Sequence, residues 1–238
     1  MIRARAGVLT LSIAALLTAG FASGASAPPR VCHLPKTVTP APELVPPASE
    51  IVRDAPTAFY MLALTWAPEA CRARGDDPEF ATQCRGNSFG FILHGLWPNG
   101  PEGRHPRYCG PAPAIRAGTV RKHLCMTPSA ASLQHEWATH GTCGWSSPEA
   151  YFRQASELWR GLKLPPMAAA MTAGQIRDAF VKANPRFPRE GVNIRLTGDS
   201  RLQDVRLCYD LTYRPAACKG GVGPADDVTV HVTPRRPR

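Results

Sequence analysis

Eight cysteines, in a chain whose first residues read as an export leader, narrow the possible folds more than any other feature. They are Cys32, Cys71, Cys84, Cys109, Cys125, Cys143, Cys208 and Cys218. An even count in an exported chain argues for disulfides, because the spaces outside the cytoplasm are oxidising. None belongs to a C-x-x-C pair, which weakens zinc-ribbon and thioredoxin-like readings. Eight cysteines allow roughly a hundred pairings, and spacing alone does not choose among them.

The leader reading rests on Arg3 and Arg5, on the uncharged apolar run from Val8 to Ala19, and on the small residues behind it. Cleavage is expected after Ala25, because a cut after Ala27 would leave Pro28 directly behind the scissile bond. A membrane anchor is the alternative, but the run is short for a bilayer span and ends like a cleavage site. The expected location is therefore secreted or periplasmic, with no membrane contact once the leader is gone.

The formal charge is +10, and loss of Arg3 and Arg5 with the leader leaves +8. Such a surface suits nucleic acid, anionic lipid or acidic polysaccharide without choosing among them. An apolar share of 44% suffices for a real core. Residues 26–57 are rich in proline, which removes donors and fixes φ, so they read as an extended arm. The body is expected over 58–233 and a solvated, floppy basic tail over 234–238.

Phe59 to Trp66 reads as a buried strand, and Cys71 to Asn87 as a polar loop. A second strand over Ser88 to Leu93 runs into His94-Gly95-Leu96-Trp97-Pro98, which puts His94 at a strand end. Asn99 to Arg116 is loop, dense in Gly and Pro. Helices follow from Ser129 to His140, with Gly141 suited to the C′ position, then from Ser147, and then from the capping box Thr172-Ala173-Gly174-Gln175 to just before Pro185. Strands over Val192 to Thr197 and Leu202 to Tyr209 flank a Gly198-Asp199-Ser200 turn, and Val228 to Val232 reads as a last strand. Strands and helices do not alternate regularly. That predicts an α+β fold: a mainly antiparallel central sheet with flanking helices, stapled by disulfides.

Two segments concentrate chemistry: Phe91 to Pro98 (FILHGLWP) and His135 to Cys143 (HEWATHGTC). On a helix, residues four apart share a face, which aligns Glu136 with His140 and His135 with Thr139. A carboxylate one turn from an imidazole can orient it and favour its protonated form. The zinc pattern H-E-x-x-H needs histidines four apart. Here His135 and His140 are five apart, and the metal reading fails on spacing. A lone histidine is more often structural, but His94 beside Gly95 and Trp97, with three polar groups on one helical face, is hard to attribute to packing. Two imidazoles and a carboxylate suit phosphoryl transfer within RNA. One imidazole removes the 2′-proton and the other protonates the departing 5′-oxygen, each with a pKa near working pH.

Both segments resemble the active-site motifs of the ribonuclease T2 family, secreted ribonucleases of the transferase type with no base specificity. The likeness runs from about Ala58 to Cys218 and includes Ile176 to Pro185 and Val205 to Tyr209. It implies His140 as general base, His94 as general acid, Glu136 as support for the transition state, His135 as a phosphate contact and Trp97 as the aromatic that stacks on a base. Residues 58–233 are then a ribonuclease domain. It would cleave RNA to a 2′,3′-cyclic phosphate and then to 3′-phosphate ends, as a monomer and with no metal or other cofactor. The resemblance also implies the disulfides Cys109–Cys143 and Cys208–Cys218, with Cys71–Cys84 as a local pair and Cys32–Cys125 stapling the arm.

Two positions depart from the family pattern. Thr139 stands where a lysine is usual, leaving a hydroxyl to meet substrate, with Arg121, Lys122 or His123 as candidate substitutes for the charge. Asn99 stands where eukaryotic relatives often carry aspartate, so base preference does not transfer. The competing functions are an RNA-binding protein with weakened catalysis on the same fold, and a metallohydrolase.

Overall fold

A computed structural model describes Met1 and residues 32–236. The leader, the first residues of the arm and the last two of the tail lie outside the described residues. The described residues from 32 to 236 form one compact unit. Its core is a four-stranded antiparallel sheet in the order β2-β1-β5-β4, built from β1 (Phe59–Trp66), β2 (Phe91–Asn99), β4 (Val192–Leu196) and β5 (Leu202–Tyr209). Among the described residues, six α-helices accompany it: α1 (Ala67–Arg74), α2 (Ala81–Cys84), α3 (Ala117–His123), α4 (Ala130–Thr139), α5 (Pro148–Gly161) and α6 (Ala173–Ala183). A two-stranded ribbon joins β3 (Ala170–Thr172) to β6 (Thr229–His231).

One face of the sheet packs the core. Leu62, Leu64, Leu96, Val205, Leu207 and Ile194 are buried against Leu133, Tyr151, Ile176 and Phe180 of the helices. On the other face of β1 and β5, alternation aligns Thr65 with Asp204 and Ala63 with Arg206. These residues matter for the site.

Four helix starts follow local chemistry. Ser129 and Ser147 each accept from a backbone N–H of the first turn of α4 and α5. Thr172 and Gln175 form the expected reciprocal capping box of α6. Pro68 lies in the first turn of α1, where its missing donor costs nothing.

Several expectations change. The 71–87 stretch is not a plain loop: α1 continues directly from β1 to Arg74, and α2 follows a 3-10 turn. The Cys71–Cys84 bond, together with Phe80, closes a small apolar cluster there, enough to hold short helices that propensity alone would not. α3 was not expected, nor was β3, whose three residues are too few to show periodicity. Gly141 does not take the left-handed C′ conformation. It opens a 3-10 turn, and a Cβ there would lie 2.3 Å from Trp137 Cε3, so close packing, not φ, requires glycine. The tail is not loose through Arg236: Arg235 donates to the Ser88 carbonyl and Arg236 to the Cys84 carbonyl.

Four disulfides join Cys32 to Cys125, Cys71 to Cys84, Cys109 to Cys143, and Cys208 to Cys218. The arm lies on the body beyond its cysteine: Val52 bridges Arg107 in antiparallel fashion, Glu50 pairs with the Arg107 guanidinium at 2.8 Å, and Arg121 donates to the Pro35 carbonyl. Among the described residues, no helix is long and apolar enough to cross a membrane.

Candidate active site

His94 owes its position to a break in the β1–β2 register. Leu64 stands opposite Leu93 and Ala63 opposite Gly95, so His94 is the extra residue of a β-bulge inside β2, not the end of a strand. A bulge re-aims a side chain and leaves its neighbours' ladder bonds unmade. The freed backbone groups of Leu93 are taken up beyond the sheet: its N–H donates to the Met126 carbonyl and its carbonyl accepts from the Thr127 hydroxyl.

α4 supplies the second half. Glu136 is 1% exposed and sits directly over Gly95. Its Oε2 accepts from Trp97 Nε1 at 2.7 Å, and its Oε1 lies 3.4 Å from His94 Nε2. Burial pushes the Glu136 carboxyl up, against the opposing pull of His94, His135 and the Trp97 hydrogen bond. Its strongest direct partner is thus an indole on the same strand as His94.

Trp97 links the two imidazoles. Its ring centroid lies 5.2 Å from that of His94, edge to face, and 5.3 Å from that of His140. The Arg206 guanidinium lies over the ring at 4.8 Å. The indole therefore has an orienting task, holding Glu136, whatever stacking its ring also takes part in.

His140 caps the C-terminal end of α4, its N–H donating to the Glu136 carbonyl. The residue is partly exposed, but Nδ1 is buried without a hydrogen-bond partner among the described residues, which leaves Nε2 as the nitrogen that can meet a solute. Burial holds this imidazole well below the ordinary histidine range, and the positive fields of His135, Arg107, His94 and His105 add to the effect. Near neutrality it is uncharged and able to accept a proton.

The end of α4 is clamped. Tyr108, at a left-handed φ of 52°, donates its N–H to the Thr139 carbonyl, and the Cys109–Cys143 bond fastens the next turn. The same loop brings Arg107 and His105 towards His140. Burial and Arg107 lower His105 in turn.

The structure brings His94, Trp97, Glu136 and His140 together and puts His135 beside them. Thr139 is different. It is 0% exposed, and its hydroxyl lies 3.4 Å from His135 Nε2, so it faces that ring and not the opening. The expected substitutes for the lysine charge also lie elsewhere. Arg121 is tied to the arm, Lys122 is exposed on the same helix, and His123 is buried against Phe152. The charges that bear most on His140 are those of His135 and of Arg107, the latter itself paired with Glu50 of the arm.

Sequence reasoning missed Thr65, Asp204, Arg206 and Arg107. Thr65 is the lone aliphatic hydroxyl in a largely apolar strand. Asp204 and Arg206 alternate with Val205 and Leu207, which was signal enough to set them on the face away from the core. Among the described residues, no group of three or more His, Cys, Asp or Glu side chains is arranged to hold a metal.

Comparison with known proteins is consistent across sequence and fold. A probable ribonuclease of Haemophilus influenzae is 40% identical over 177 residues, covering 69% of this chain and 62% of that protein. A ribonuclease of Aeromonas hydrophila is 34% identical over 42% of this chain and 44% of its own length. The chain thus spans less than two thirds of these two relatives. Among solved structures, an RNase-related protein from Calystegia sepium superposes with a TM-score of 0.61 at 20% identity, over 75% of this chain and 98% of that one. RNase NT in complex with 5′-AMP gives a TM-score of 0.50 at 21% identity, over 71% and 98%. The Ribonuclease T2 family model matches residues 57–180, more than half the chain and both histidine segments with it. The chain belongs to the ribonuclease T2 family.

Proposed function

We propose that the protein is an endoribonuclease that cleaves single-stranded RNA by attack of the 2′-hydroxyl on the adjacent phosphorus. The observation that carries this reading is the pairing of unlike imidazoles about one indole. His140 is held uncharged by burial, whereas His94 faces a buried carboxylate. The first suits a base and the second an acid.

In the first step His140 takes the 2′-proton, the 2′-oxygen bonds to phosphorus, and the P–O5′ bond breaks with its electron pair going to oxygen. His94 protonates that oxygen through Nε2. The product is a 2′,3′-cyclic phosphate. In the second step the roles reverse, water replaces the 5′-alcohol, and a 3′-phosphate remains. Glu136 steadies the charged His94, and His135 and Arg107 favour the extra negative charge on phosphorus. Trp97 offers a surface for a base, as every base has a π-face. The chain acts as an exported monomer without a cofactor. Its surplus of positive charge draws in RNA, and affinity falls with salt. The complex of RNase NT with 5′-AMP is in keeping with a nucleotide ligand.

The test is digestion of RNA in EDTA by the native protein and by His94→Ala and His140→Ala. The native protein should cleave, and each variant should lose on the order of 100-fold or more in kcat. Cleavage that EDTA abolishes would mean metal chemistry. RNA binding without cleavage would make the chain a binding protein.

A further inference from the structure

His94 has a second partner that takes no part in the proton transfers to and from substrate. Thr65 Oγ1 lies 3.2 Å from His94 Nδ1, on the side of the ring away from Glu136, and 2.7 Å from Asp204 Oδ1. Thr65 and Asp204 stand directly opposite each other on β1 and β5, so the sheet itself fixes this pair. Asp204 is 3% exposed, and its other oxygen meets Arg206 Nη2 at 3.2 Å.

A hydroxyl has one proton to give and two lone pairs. A carboxylate paired with arginine only accepts, so the Thr65 proton goes to Asp204. Thr65 then offers His94 nothing but lone pairs, and a hydrogen bond forms only if Nδ1 carries hydrogen. We propose that Thr65 and Asp204 are positioning residues that keep the proton on Nδ1 of His94 and so reserve Nε2 as the nitrogen that exchanges protons with substrate. This rests on the reading of His94 as the acid. Through the cycle Nδ1 keeps its hydrogen while Nε2 alternates between donor and acceptor: its proton leaves for O5′ as the P–O5′ bond breaks, and it regains one from water in the second step. Among the described residues, the charged or titratable groups beside the ring are Glu136 from α4 and, through Thr65, Asp204 with its partner Arg206 from β5. His140 lies beyond Trp97.

The test uses the full chain labelled with nitrogen-15. Long-range imidazole spectra, taken where His94 is neutral, report which ring nitrogen is protonated and do not depend on activity. Native protein and Thr65→Ser should show hydrogen on Nδ1. Thr65→Val, close in shape but without a hydroxyl, should shift the population to hydrogen on Nε2. In parallel, Thr65→Val and Asp204→Asn should lower kcat by on the order of tenfold or more, as loss of tautomer control does elsewhere, with KM little changed, and Thr65→Ser should restore most of it. Hydrogen on Nε2 in the native protein overturns the proposal, even if no variant folds. So does a Thr65→Val protein with native kcat and tautomer. An inactive native protein with hydrogen on Nδ1 would sink the ribonuclease reading while leaving the positioning pair intact.

Discussion

Gly95→Ala should disable the site without touching any residue that exchanges protons. A Cβ on Gly95 would lie 1.8 Å from Glu136 Oε2 and 2.8 Å from Trp97 Nε1. Carbon and oxygen rarely approach closer than about 3.3 Å, so the carboxylate must withdraw by roughly 1.5 Å. That movement breaks the 2.7 Å bond from Trp97 and leaves a carboxylate that is 1% exposed without its strongest partner. Overpacking of this kind costs about 1–3 kcal/mol, and a lost hydrogen bond to a charged group costs a comparable sum. Displacement of a supporting group by about 1 Å can cost on the order of 100-fold in rate. Urea unfolding and steady-state kinetics on a dinucleotide would measure both. Expected are a clear loss of stability and a kcat reduced on the order of 100-fold, with KM changed far less. Native-like kcat and stability would refute the placement of Glu136 over Gly95.

Arg107 and His123 give two pH predictions of different kinds. Burial is the chief reason His140 is low, but Arg107 adds to it, so Arg107→Gln should let the base take a proton at higher pH and move the acid limb of kcat/KM upwards. A limb that stays in place would remove Arg107 from the site. His123 is lowered from 6.5 to about 4 by burial first, then by Lys122 and Arg160. The unfolded chain therefore binds a proton there that the folded chain refuses. The associated stability is fully present above about pH 6.5, is lost as pH falls towards 4, and amounts to at most about 3 kcal/mol. In His123→Phe, unfolding measured across that window should depend less steeply on pH, and an unchanged slope would count against the assignment.

What the sequence disclosed followed from local rules. The strand Phe59–Trp66, the capping box at Thr172 and the turn around Asp199 each depend on neighbours in the chain, and each is found where expected. Both histidine segments were legible because the unusual residues are adjacent in sequence. Thr65, Asp204 and Arg206 were not, because only strand pairing across a separation of 139 residues brings Thr65 to Asp204. The bulge at His94 is likewise a property of two strands in register, invisible in either alone. Burial hid the rest. Thr139 looked like a substrate contact because it stands where the family usually carries a lysine, but a place in the sequence says nothing of depth, and the clamp from Tyr108 and Cys109 covers that turn.

A single oligonucleotide tests the chemistry most directly: an RNA with one 2′-deoxy position, incubated with the purified protein in EDTA, its products resolved by mass spectrometry. If the substrate's own 2′-oxygen is the nucleophile, every ribose linkage that is cut should carry a 2′,3′-cyclic phosphate or the 3′-phosphate derived from it, and the deoxy linkage should stay intact. Cleavage at the deoxy position would mean that water or a protein side chain attacks phosphorus, contradicting the roles given to His140 and His94.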